Sequence, residues 1–400
     1  MTTKGTGRLA FVPTRYGEGV VGGSEAVMAE AARGLAGRGY DVEVLTTCAL
    51  DHYTWANALE PGRFEQDGLV LRRFRTATSP LTPAQAELEH RLHHGPRLDL
   101  DEEIAWVNGR FRVPELYFHL AGHAEDYDAL IFSPYLFWST IYGAGVAPER
   151  SIVMPCLHDE PYAWLRVVAD TLSSVAGVWF LSEPEHQLGH RVTNRLPPGH
   201  SVVGAAVHAP AGYDPDGFRE RHGLNRPFIL YAGRREEGKG WGQLLRAFSA
   251  ALLSRRLPFD LVTFGVGDPG IPERLSSRVI DLGYLEDWEV PHAFAAAEAL
   301  VQPSINESFS RTVMESWLAG TLVIASASSA VLAWHCERSG GGLTFADDYE
   351  LGECLGFLAD APKAASALAD RGRDYVLANY TWEVVLDAME RSLEHFVARP

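Results

Sequence analysis

The chain has 400 residues, of which 46% are apolar and 22% charged, a composition that predicts a globular protein large enough for two domains. Its 52 acidic and 35 basic residues leave a net charge of −17, which argues against nucleic acid or an anionic membrane surface as the main partner. No apolar run approaches the roughly 20 residues of an integral membrane helix, and residues 1–7 contain no apolar signal core, so we expect a cytoplasmic protein. The four cysteines form no Cys-x-x-Cys pair, which predicts free, mostly buried thiols.

The chain opens with a strand, a glycine-rich loop, a helix and a second strand. Arg8–Pro13 and Asp41–Thr47 read as strands, and residues 24–38 read as an amphipathic helix. Three loop glycines spell G-x-G-x-x-G, but the loop is long and the second strand ends without an acid. We therefore discount a NAD site.

The next segment, residues 52–125, has little regular patterning apart from two predicted helices, at 83–94 and 102–121. Strands are predicted at 129–133, 151–155, 177–181 and 201–207, and a Pro/Gly-rich linker follows at 208–215. His158 follows the strand at 151–155 by three residues. Groups at the carboxyl end of a parallel strand face the ligand-binding crevice of doubly wound sheets, although a lone histidine is more often a hydrogen-bonded structural residue.

A second series of alternating strands and helices follows the linker. Its strands are predicted at 228–232, 261–264, 279–282, 299–302, 321–325 and 343–345. The loop at 233–240 carries Arg234 and Lys239 just before a helix. A planar guanidinium and an ammonium beside a helix N-terminus are suited to phosphate, whereas the alternative is a solvated charged loop.

The segment 302–320 contains a loop and a helix between two buried strands. Ser310 is predicted to cap the helix, and Gly320 follows its end. Glu307 then falls in the loop and Glu315 in the helix, roughly 12 Å apart if the whole segment were helical. Two carboxylates at such a spacing suit the two ends of one extended ligand, and the loop N–H groups between them would attract an anion such as a diphosphate.

This segment resembles the Glu-x7-Glu element of retaining glycosyltransferases of family 4. The loop at 233–240 resembles the family's Gly-Arg…Lys-Gly element, and the glycine turns after the strands at 261–264 and 279–282 match its nucleotide-side loops. The resemblance covers most of the second domain and the ends of the first. It does not extend to residues 61–125.

The resemblance implies a role for particular residues of this chain. The first glutamate contacts the donor sugar, the second contacts the nucleotide ribose, and the histidine lies near the anomeric carbon. The other positions bind the donor diphosphate or the base. The implied catalytic residues are His158 and Glu307; the diphosphate-binding residues are Arg234, Lys239, Gly22, Gly23, Ser308, Phe309 and Ser310; and the ribose- and base-binding residues are Glu315, Tyr284 and Gly265.

The implied fold class is α/β, with two Rossmann-like doubly wound domains facing a cleft, known as GT-B. We expect an acceptor domain at 1–208, a nucleotide-sugar domain at 209–380, and a final helix at 381–400 that returns to the first domain. The expected activity is retaining, metal-independent transfer from a nucleotide-diphosphate sugar, most often UDP- or GDP-linked, with no other cofactor. The acceptor would be a small molecule, a glycan or a lipid-linked hydroxyl, with its specificity in the insert at 61–125.

Three alternatives share parts of this pattern. An inverting transferase would need a base histidine in its first loop, but no histidine occurs before His52. A sugar-nucleotide 2-epimerase has the same fold and gives the insert no role. An inactive sugar-nucleotide-binding protein is disfavoured by the intact set of candidate residues. Ser308 and Ser310 stand where many family members have glycine, and Arg311 and Thr312 replace a common Leu-Pro, so the donor sugar is open.

Overall fold

The computed structural model describes residues 7–20 and 22–396, which divide into two compact units. One unit comprises the residues up to 206 together with those from 382 onward, and the other comprises Val207–Thr381. The boundary lies two residues before the one expected from the sequence. The prediction about a signal core concerns residues 1–7, of which 1–6 lie outside the described part of the chain.

The first unit is built on an eight-stranded sheet of order β10-β9-β8-β7-β1-β2-β4-β3, parallel except for the β3–β4 pair. Its elements are β1 (Arg8–Pro13), α1 (Gly23–Gly37), β2 (Asp41–Thr47), β3 (Gly62–Gln66), β4 (Leu69–Phe74), β5 (Ala77–Thr78), α2 (Pro83–His94), α3 (Leu100–Gly109), β6 (Phe111–Arg112), α4 (Pro114–His123), β7 (Ala129–Ser133), α5 (Trp138–Ala144), β8 (Ser151–Val153), α6 (Arg166–Ser174), β9 (Gly177–Phe180), α7 (Glu183–Thr193) and β10 (Gly199–Val202).

The second unit is built on a six-stranded sheet of order β13-β12-β11-β14-β15-β16, in which every pair is parallel. Its elements are α8 (Pro215–Arg221), β11 (Phe228–Ala232), α9 (Trp241–Ser254), β12 (Asp260–Phe264), β13 (Val279–Asp281), α10 (Val290–Ala296), β14 (Ala299–Gln302), α11 (Arg311–Leu318), β15 (Leu322–Ser326), α12 (Ala330–Ser339), β16 (Gly342–Phe345), α13 (Asp348–Asp360) and α14 (Pro362–Asn379). The central strands are buried on both faces, as expected where helices cover a parallel sheet.

The last helix, α15 (Trp382–Phe396), packs against α1 within the first unit. The Arg38 guanidinium is bonded to the carboxylates of Asp387 and Glu390. At Gly34, an added Cβ would lie 2.8 Å from a methyl group of Leu386, so the two helices approach too closely for a side chain there. The sequence expectation placed this returning helix within 381–400, of which residues 397–400 lie outside the described part of the chain.

Three sequence predictions differ from the structure. The single helix predicted at 102–121 is two helices, α3 and α4, because Pro114 begins α4 and holds Val113 in a non-helical conformation. The β3–β4 hairpin was missed, although Asp67 and Gly68 form its turn with positive φ angles of 54° and 75°, which is typical of Asp-Gly turns. The strand predicted at 201–207 is β10, which begins and ends earlier.

The cysteine prediction is confirmed, because the four cysteines, all within the described residues, form no disulfide bond, and Cys48, Cys156 and Cys336 are buried. Among the described helices, none is both long enough and apolar enough to cross a bilayer.

Candidate functional site

The candidate site of the second unit follows the carboxyl ends of four adjacent parallel strands. Tyr284 follows β13, Gly265 follows β12, the loop 233–240 follows β11 and the loop 303–310 follows β14. Parallel neighbouring strands end at the same edge of a sheet, and this edge is where doubly wound domains bind ligands. The fold therefore gathers the sequence-predicted residues of this unit along one edge.

Lys239 and Glu307 are in direct contact. The Lys239 Nζ donates a hydrogen bond of 2.7 Å to Glu307 Oε1 and one of 3.3 Å to the Asn306 carbonyl. The two side chains are only 25% and 10% exposed. Charges buried to this extent are screened by salt much less than a surface pair. The predicted phosphate-binding lysine and the predicted sugar-binding glutamate thus form a partly buried ion pair.

The two consecutive arginines of the loop have different roles. The Arg235 side chain is only 2% exposed; it donates to the Gly265 carbonyl at 2.7 Å and the Gly267 carbonyl at 3.0 Å, and it pairs with Asp281. Arg234 has a 40% exposed side chain, whose guanidinium lies 3.1 Å from Glu236 Oε1. Arg235 therefore holds the neighbouring loops together, while Arg234 faces solvent, where a ligand can reach it.

Glycines let these loops pack backbone against backbone. At Gly265, where φ is +132°, an added Cβ would lie 2.2 Å from the Gly233 carbonyl oxygen. At Gly240, where φ is +72°, it would lie 2.5 Å from the Pro303 carbonyl oxygen. Both positions require glycine for its conformation and for its lack of a side chain. The Tyr231 hydroxyl also donates 2.7 Å to the Arg234 carbonyl, which ties the loop to β11.

Ser308, Phe309 and Ser310 are all buried immediately before α11. Ser310 occupies the predicted N-cap position in a left-handed conformation, with φ of 70°, but its side chain makes no capping bond. Its hydroxyl instead accepts from Gln302 Nε2 at 3.3 Å. Because α11 begins at Arg311, Glu307 lies before the helix, and the separation computed for an all-helical segment does not apply. Gly320 follows the helix with φ of +79°, as predicted.

Phe309 packs against a network of aromatic side chains. Its ring packs edge-on against His335 and Tyr380, with centroids 5.6 and 4.9 Å away. A chain of hydrogen bonds joins His335 Nδ1 to the Tyr375 hydroxyl at 3.0 Å and this hydroxyl to that of Tyr380 at 2.9 Å. Burial lowers the pKa of His335 to about 3, so its ring is neutral. Sequence reasoning missed these three residues, and their spacing carries no signal for them.

Glu315 and Tyr284, the predicted ribose- and base-binding residues, are partly accessible. The Glu315 carboxylate lies 3.2 Å from the Arg311 guanidinium one helical turn earlier, and its side chain is 26% exposed. Tyr284 is 57% exposed at the end of β13. Burial, together with the negative charges of Asp287 and Glu286, raises its pKa. Arg311 stands where the family commonly has leucine, and it adds a positive charge beside the predicted ribose contact.

In the first unit, His158 pairs with Glu160 and not with the adjacent Asp159. His158 Nδ1 lies 3.5 Å from Glu160 Oε1. The same oxygen accepts a hydrogen bond of 2.8 Å from the Tyr135 hydroxyl. Burial raises the pKa of Glu160, but the bonds from His158 and Tyr135 outweigh burial, and the net shift is downward. Asp159 instead accepts from Trp164 and Arg191 at the surface. An ionised Glu160 orients the His158 ring.

Glu185, at the start of α7, holds the backbone beside His158. Its carboxylate is buried and accepts 2.6 Å from the Leu157 N–H and 2.5 Å from the Leu181 N–H. Burial raises the pKa of this carboxyl to about 8, although the backbone donors act in the opposite direction. Glu185 was not singled out from the sequence, where it looks like an ordinary first-turn helix acid.

Gly22 and Gly23 lie at the start of α1, also in the first unit. An added Cβ on Gly22 would lie 2.2 Å from Glu25 Oε2, whereas at Gly23 it would meet nothing within 4 Å. Glu25 is held by the buried Arg15, which donates from Nε at 2.9 Å. This buried ion pair explains why Gly22 must lack a side chain, while Gly23 leaves the helix start accessible.

The insert of the first unit contains a cavity of about 390 Å³ between α2 and α3. The Glu89 carboxylate in this cavity accepts hydrogen bonds from the Trp106 indole at 2.7 Å and the Tyr162 hydroxyl at 2.5 Å. The Arg110 guanidinium lies over the Trp106 ring. The lining residues of the cavity are Leu81, Gln85, Ala86, Glu89, His90, His93, His94, Trp106 and Arg110.

Comparison with known proteins identifies the class to which this geometry corresponds. Residues 226–359 match the family model described as glycosyl transferases group 1. Among solved structures, sucrose-phosphate synthase from Thermosynechococcus elongatus aligns with a TM-score of 0.73 at 19% identity, over 96% of this chain and 98% of that one. The chain therefore has the GT-B fold of glycosyltransferases, and residues 226–359 match glycosyl transferases group 1. The recognition of a GT-B glycosyltransferase from the sequence motifs and the α/β fold class are confirmed.

The chain is also similar in sequence to two curated glycosyltransferases. The MMP alpha-(1->4)-mannosyltransferase of Mycolicibacterium hassiacum is 29% identical over 202 residues, which span 48% of each protein. The D-inositol 3-phosphate glycosyltransferase of Streptomyces scabiei is 27% identical over 390 residues, which span 86% of this chain and 80% of the relative. The chain thus aligns with about half the length of the first relative and most of the second.

Proposed function

We propose that this protein is a retaining glycosyltransferase that moves a sugar from a UDP- or GDP-linked donor to an acceptor hydroxyl without a metal ion. The observation that carries the proposal is the 2.7 Å contact between Lys239 and Glu307, two residues 68 positions apart that come from separate family motifs. This contact joins the proposed phosphate-binding cation to the proposed sugar-binding carboxylate at the strand ends of a group 1 domain.

The second unit supplies most of the donor contacts in this proposal. Cleavage of the bond between the anomeric carbon and the diphosphate oxygen leaves negative charge on the diphosphate, which Lys239 and Arg234 stabilise as fixed cations. An ammonium has three N–H donors, so Lys239 can keep its bonds to Glu307 and the Asn306 carbonyl and still donate to a phosphate oxygen. Glu315 binds the ribose, and the loops at Gly265 and Tyr284 bind the base.

Transfer proceeds on one face of the sugar. The acceptor oxygen bonds to the anomeric carbon on the side from which the diphosphate leaves, and a diphosphate oxygen takes the acceptor proton. Glu307 and His158 position the sugar. Gly22, Gly23 and the loop of Ser308, Phe309 and Ser310 supply backbone N–H groups for the donor phosphates.

This reasoning defines the donor as a UDP- or GDP-linked sugar and does not specify which sugar. The first curated relative is named a mannosyltransferase, so a mannosyl donor is included beside glucosyl donors. A thermal shift panel tests this point: UDP, GDP, UDP-glucose, UDP-N-acetylglucosamine and GDP-mannose are compared on wild type and Lys239→Ala. We expect one nucleotide series to raise the melting temperature in wild type and much less in the variant.

The activity is tested by nucleotide release. With the matching donor, we expect slow release alone and fast release when extracts or candidate acceptors are added. Conversion of the donor into an epimer without acceptor would indicate the epimerase, and binding without any turnover would indicate an inactive sugar-nucleotide-binding protein. Either result would refute the proposal.

For the acceptor, we propose the cavity of the insert, whose 390 Å³ volume suits a small polar molecule. The S. scabiei relative is named for D-inositol 3-phosphate, a phosphorylated polyol, and Arg110 with three histidines gives the cavity basic groups that suit such an acceptor. Arg110→Ala should raise the acceptor KM and leave the donor Kd unchanged. Arg97→Ala, which removes an exposed arginine outside the cavity lining, is the matched control. An unchanged acceptor KM in Arg110→Ala would place the acceptor elsewhere.

A further inference from the structure

Three histidines of the first unit, none of which has been assigned a role above, lie close together. His186 and His190 are one turn apart on α7, and His200 lies on β10, the edge strand of the eight-stranded sheet. The ring centroids are 4.7 Å apart for His186 and His190, 5.0 Å for His186 and His200, and 5.4 Å for His190 and His200. Helix spacing of four residues places two rings on one face, and the return of the chain through β10 supplies the third.

The ring nitrogens of this cluster are close enough to share one ion. One nitrogen from each ring lies within 4.8 Å of those from the other two. Both ring nitrogens of His186 are buried and have no hydrogen-bond partner among the described residues. Glu183 Oε1 lies 3.5 Å from its Nδ1, outside hydrogen-bond geometry. A buried polar atom without a partner carries a desolvation penalty and calls for an explanation such as an unseen ion.

His200 is already oriented as a metal ligand would be. Its Nδ1 lies 2.7 Å from the Pro197 carbonyl oxygen. A carbonyl can only accept, so Nδ1 carries the proton, and Nε2 keeps its lone pair free to bind a cation. A backbone carbonyl that fixes the tautomer of a ligating histidine is a usual outer-shell contact of metal sites.

We propose that His186, His190 and His200 bind a divalent transition metal, zinc foremost, through three imidazoles, with a fourth position open to water. Three neutral nitrogen ligands suit zinc, copper and nickel, and they do not suit magnesium or calcium. Tetrahedral zinc with bonds of 2.0–2.1 Å places ligand nitrogens about 3.3 Å apart. The rings must therefore close by at most about 1.5 Å, and the exposed His190 side chain can rotate to do so.

A metal at this point would join α7 to the edge strand β10, in addition to the loop 194–198 that connects them. An edge strand is hydrogen-bonded on one side only, so an added cross-link limits its fraying. Because an ion that binds only the folded state stabilises it, zinc should raise the melting temperature of the unit. This site does not depend on the proposed transferase activity.

The test uses the full chain without a histidine tag, stripped of metal and freed of chelator. Zinc chloride is titrated by calorimetry into wild type, His190→Ala and His200→Ala. We expect one zinc per chain in wild type and at least tenfold weaker binding in each variant. Cobalt substituted for zinc should give the visible absorption of a tetrahedral ion in wild type only.

The control is His123→Ala, which removes an exposed histidine of the same unit, on α4. It should bind zinc as wild type does. Zinc affinity unchanged in His190→Ala and His200→Ala, or absence of stoichiometric binding in wild type, would overturn the proposal. A loss in His190→Ala alone would reduce the site to a two-ligand surface contact and overturn the three-histidine assignment. Unchanged melting of the metal-free variants checks that they fold.

Discussion

The Lys239 ammonium links the two halves of the proposed donor contact. In the structure its bonds go to Glu307 and to the neighbouring Asn306 carbonyl, and both partners come from the loop after β14. A phosphate that enters beside this lysine would meet an ion whose charge Glu307 already partly neutralises. The two residues are therefore energetically coupled, and each substitution must be interpreted with the other in mind.

The first prediction concerns the two cationic side chains proposed to bind the diphosphate. Lys239→Ala and Arg234→Ala should each weaken binding of the bare nucleoside diphosphate by about 1.5–3 kcal/mol, the value of a charged hydrogen bond. Arg255→Ala, which removes an arginine paired with Glu353 on the surface of the same unit, is the control. Calorimetric titration measures the affinity. If both site variants retain wild-type affinity, neither residue binds the diphosphate.

The second prediction separates the two glutamates. Glu307→Gln should lower single-turnover rates strongly and leave diphosphate affinity equal or higher, because the charge of Lys239 is then no longer neutralised by a carboxylate. Glu315→Gln should weaken binding of the diphosphate and of the intact donor alike, since the ribose is common to both, with a smaller loss in rate. Glu298→Gln, on the surface of the same unit, serves as control. Equal loss of diphosphate affinity in the two variants would contradict this division of roles.

At the scale of elements, α7 connects the region near His158 to the histidine cluster. Its first turn carries Glu185, which accepts a hydrogen bond from the Leu157 N–H, and His186 beside it, and the next turn carries His190. One helix thus holds the loop after β8 and reaches the edge strand β10. A change in the position of α7 would act on both places.

The third prediction follows from the buried carboxyl of Glu185. Its pKa is raised from 4.5 to about 8, so between these values the folded state holds a proton that the unfolded state has lost. The free energy of unfolding contributed by this group is then largest below about pH 4.5 and falls as the pH rises through 8. Glu185→Gln keeps an oxygen acceptor for the Leu157 N–H and cannot titrate, so its stability should vary less between pH 5 and 8.

Urea unfolding at pH 5, 6.5 and 8 in metal-free buffer measures this difference. Glu149→Gln removes an exposed carboxylate of the same unit, and its stability should follow the wild-type pH dependence. A Glu185→Gln protein that loses stability with pH as steeply as wild type would show that the carboxyl is ionised throughout this range.

At the scale of the whole molecule, the proposed transfer reaction needs no metal ion, and the proposed zinc site is separate from it. The donor chemistry depends on Arg234 and Lys239, and the histidine cluster belongs to the other unit. Among the described residues, the group that could hold a metal is made of imidazoles, whereas a magnesium clamp would consist of carboxylates. The transferase reaction and the metal site can therefore be tested independently.

The fourth prediction is that a chelator leaves turnover largely intact while it lowers the melting temperature of zinc-loaded protein. Charge on the departing diphosphate is stabilised by fixed side chains, whereas bound zinc stabilises the folded state. Initial rates and melting curves are recorded with and without EDTA, with His200→Ala as the variant whose melting should not respond. Turnover abolished by EDTA and restored by magnesium or manganese would contradict metal independence.

Much of the fold was predictable because its signals are local. Alternating buried strands and amphipathic helices, the basic loop after β11, the apolar face of α11 and the glycine after it all lie within a few residues of their cause. The missed β3–β4 hairpin carried such a signal in Asp67-Gly68. The proline at Pro114 likewise marked the break between α3 and α4. These two errors came from local signals that were present and not used.

The sequence by itself determined the parallel α/β class, the glycosyltransferase motifs of the second unit and the types of residue that follow each strand. Only the tertiary structure decided that Lys239 meets Glu307, that the side chain of Arg235 is buried while that of Arg234 is exposed, and that His158 pairs with Glu160. The same holds for the histidine cluster formed by α7 and β10. The physical reason is that period and turn chemistry depend on neighbouring residues. Burial, pairing of charges and convergence of side chains instead depend on which distant segments the packed sheet places side by side.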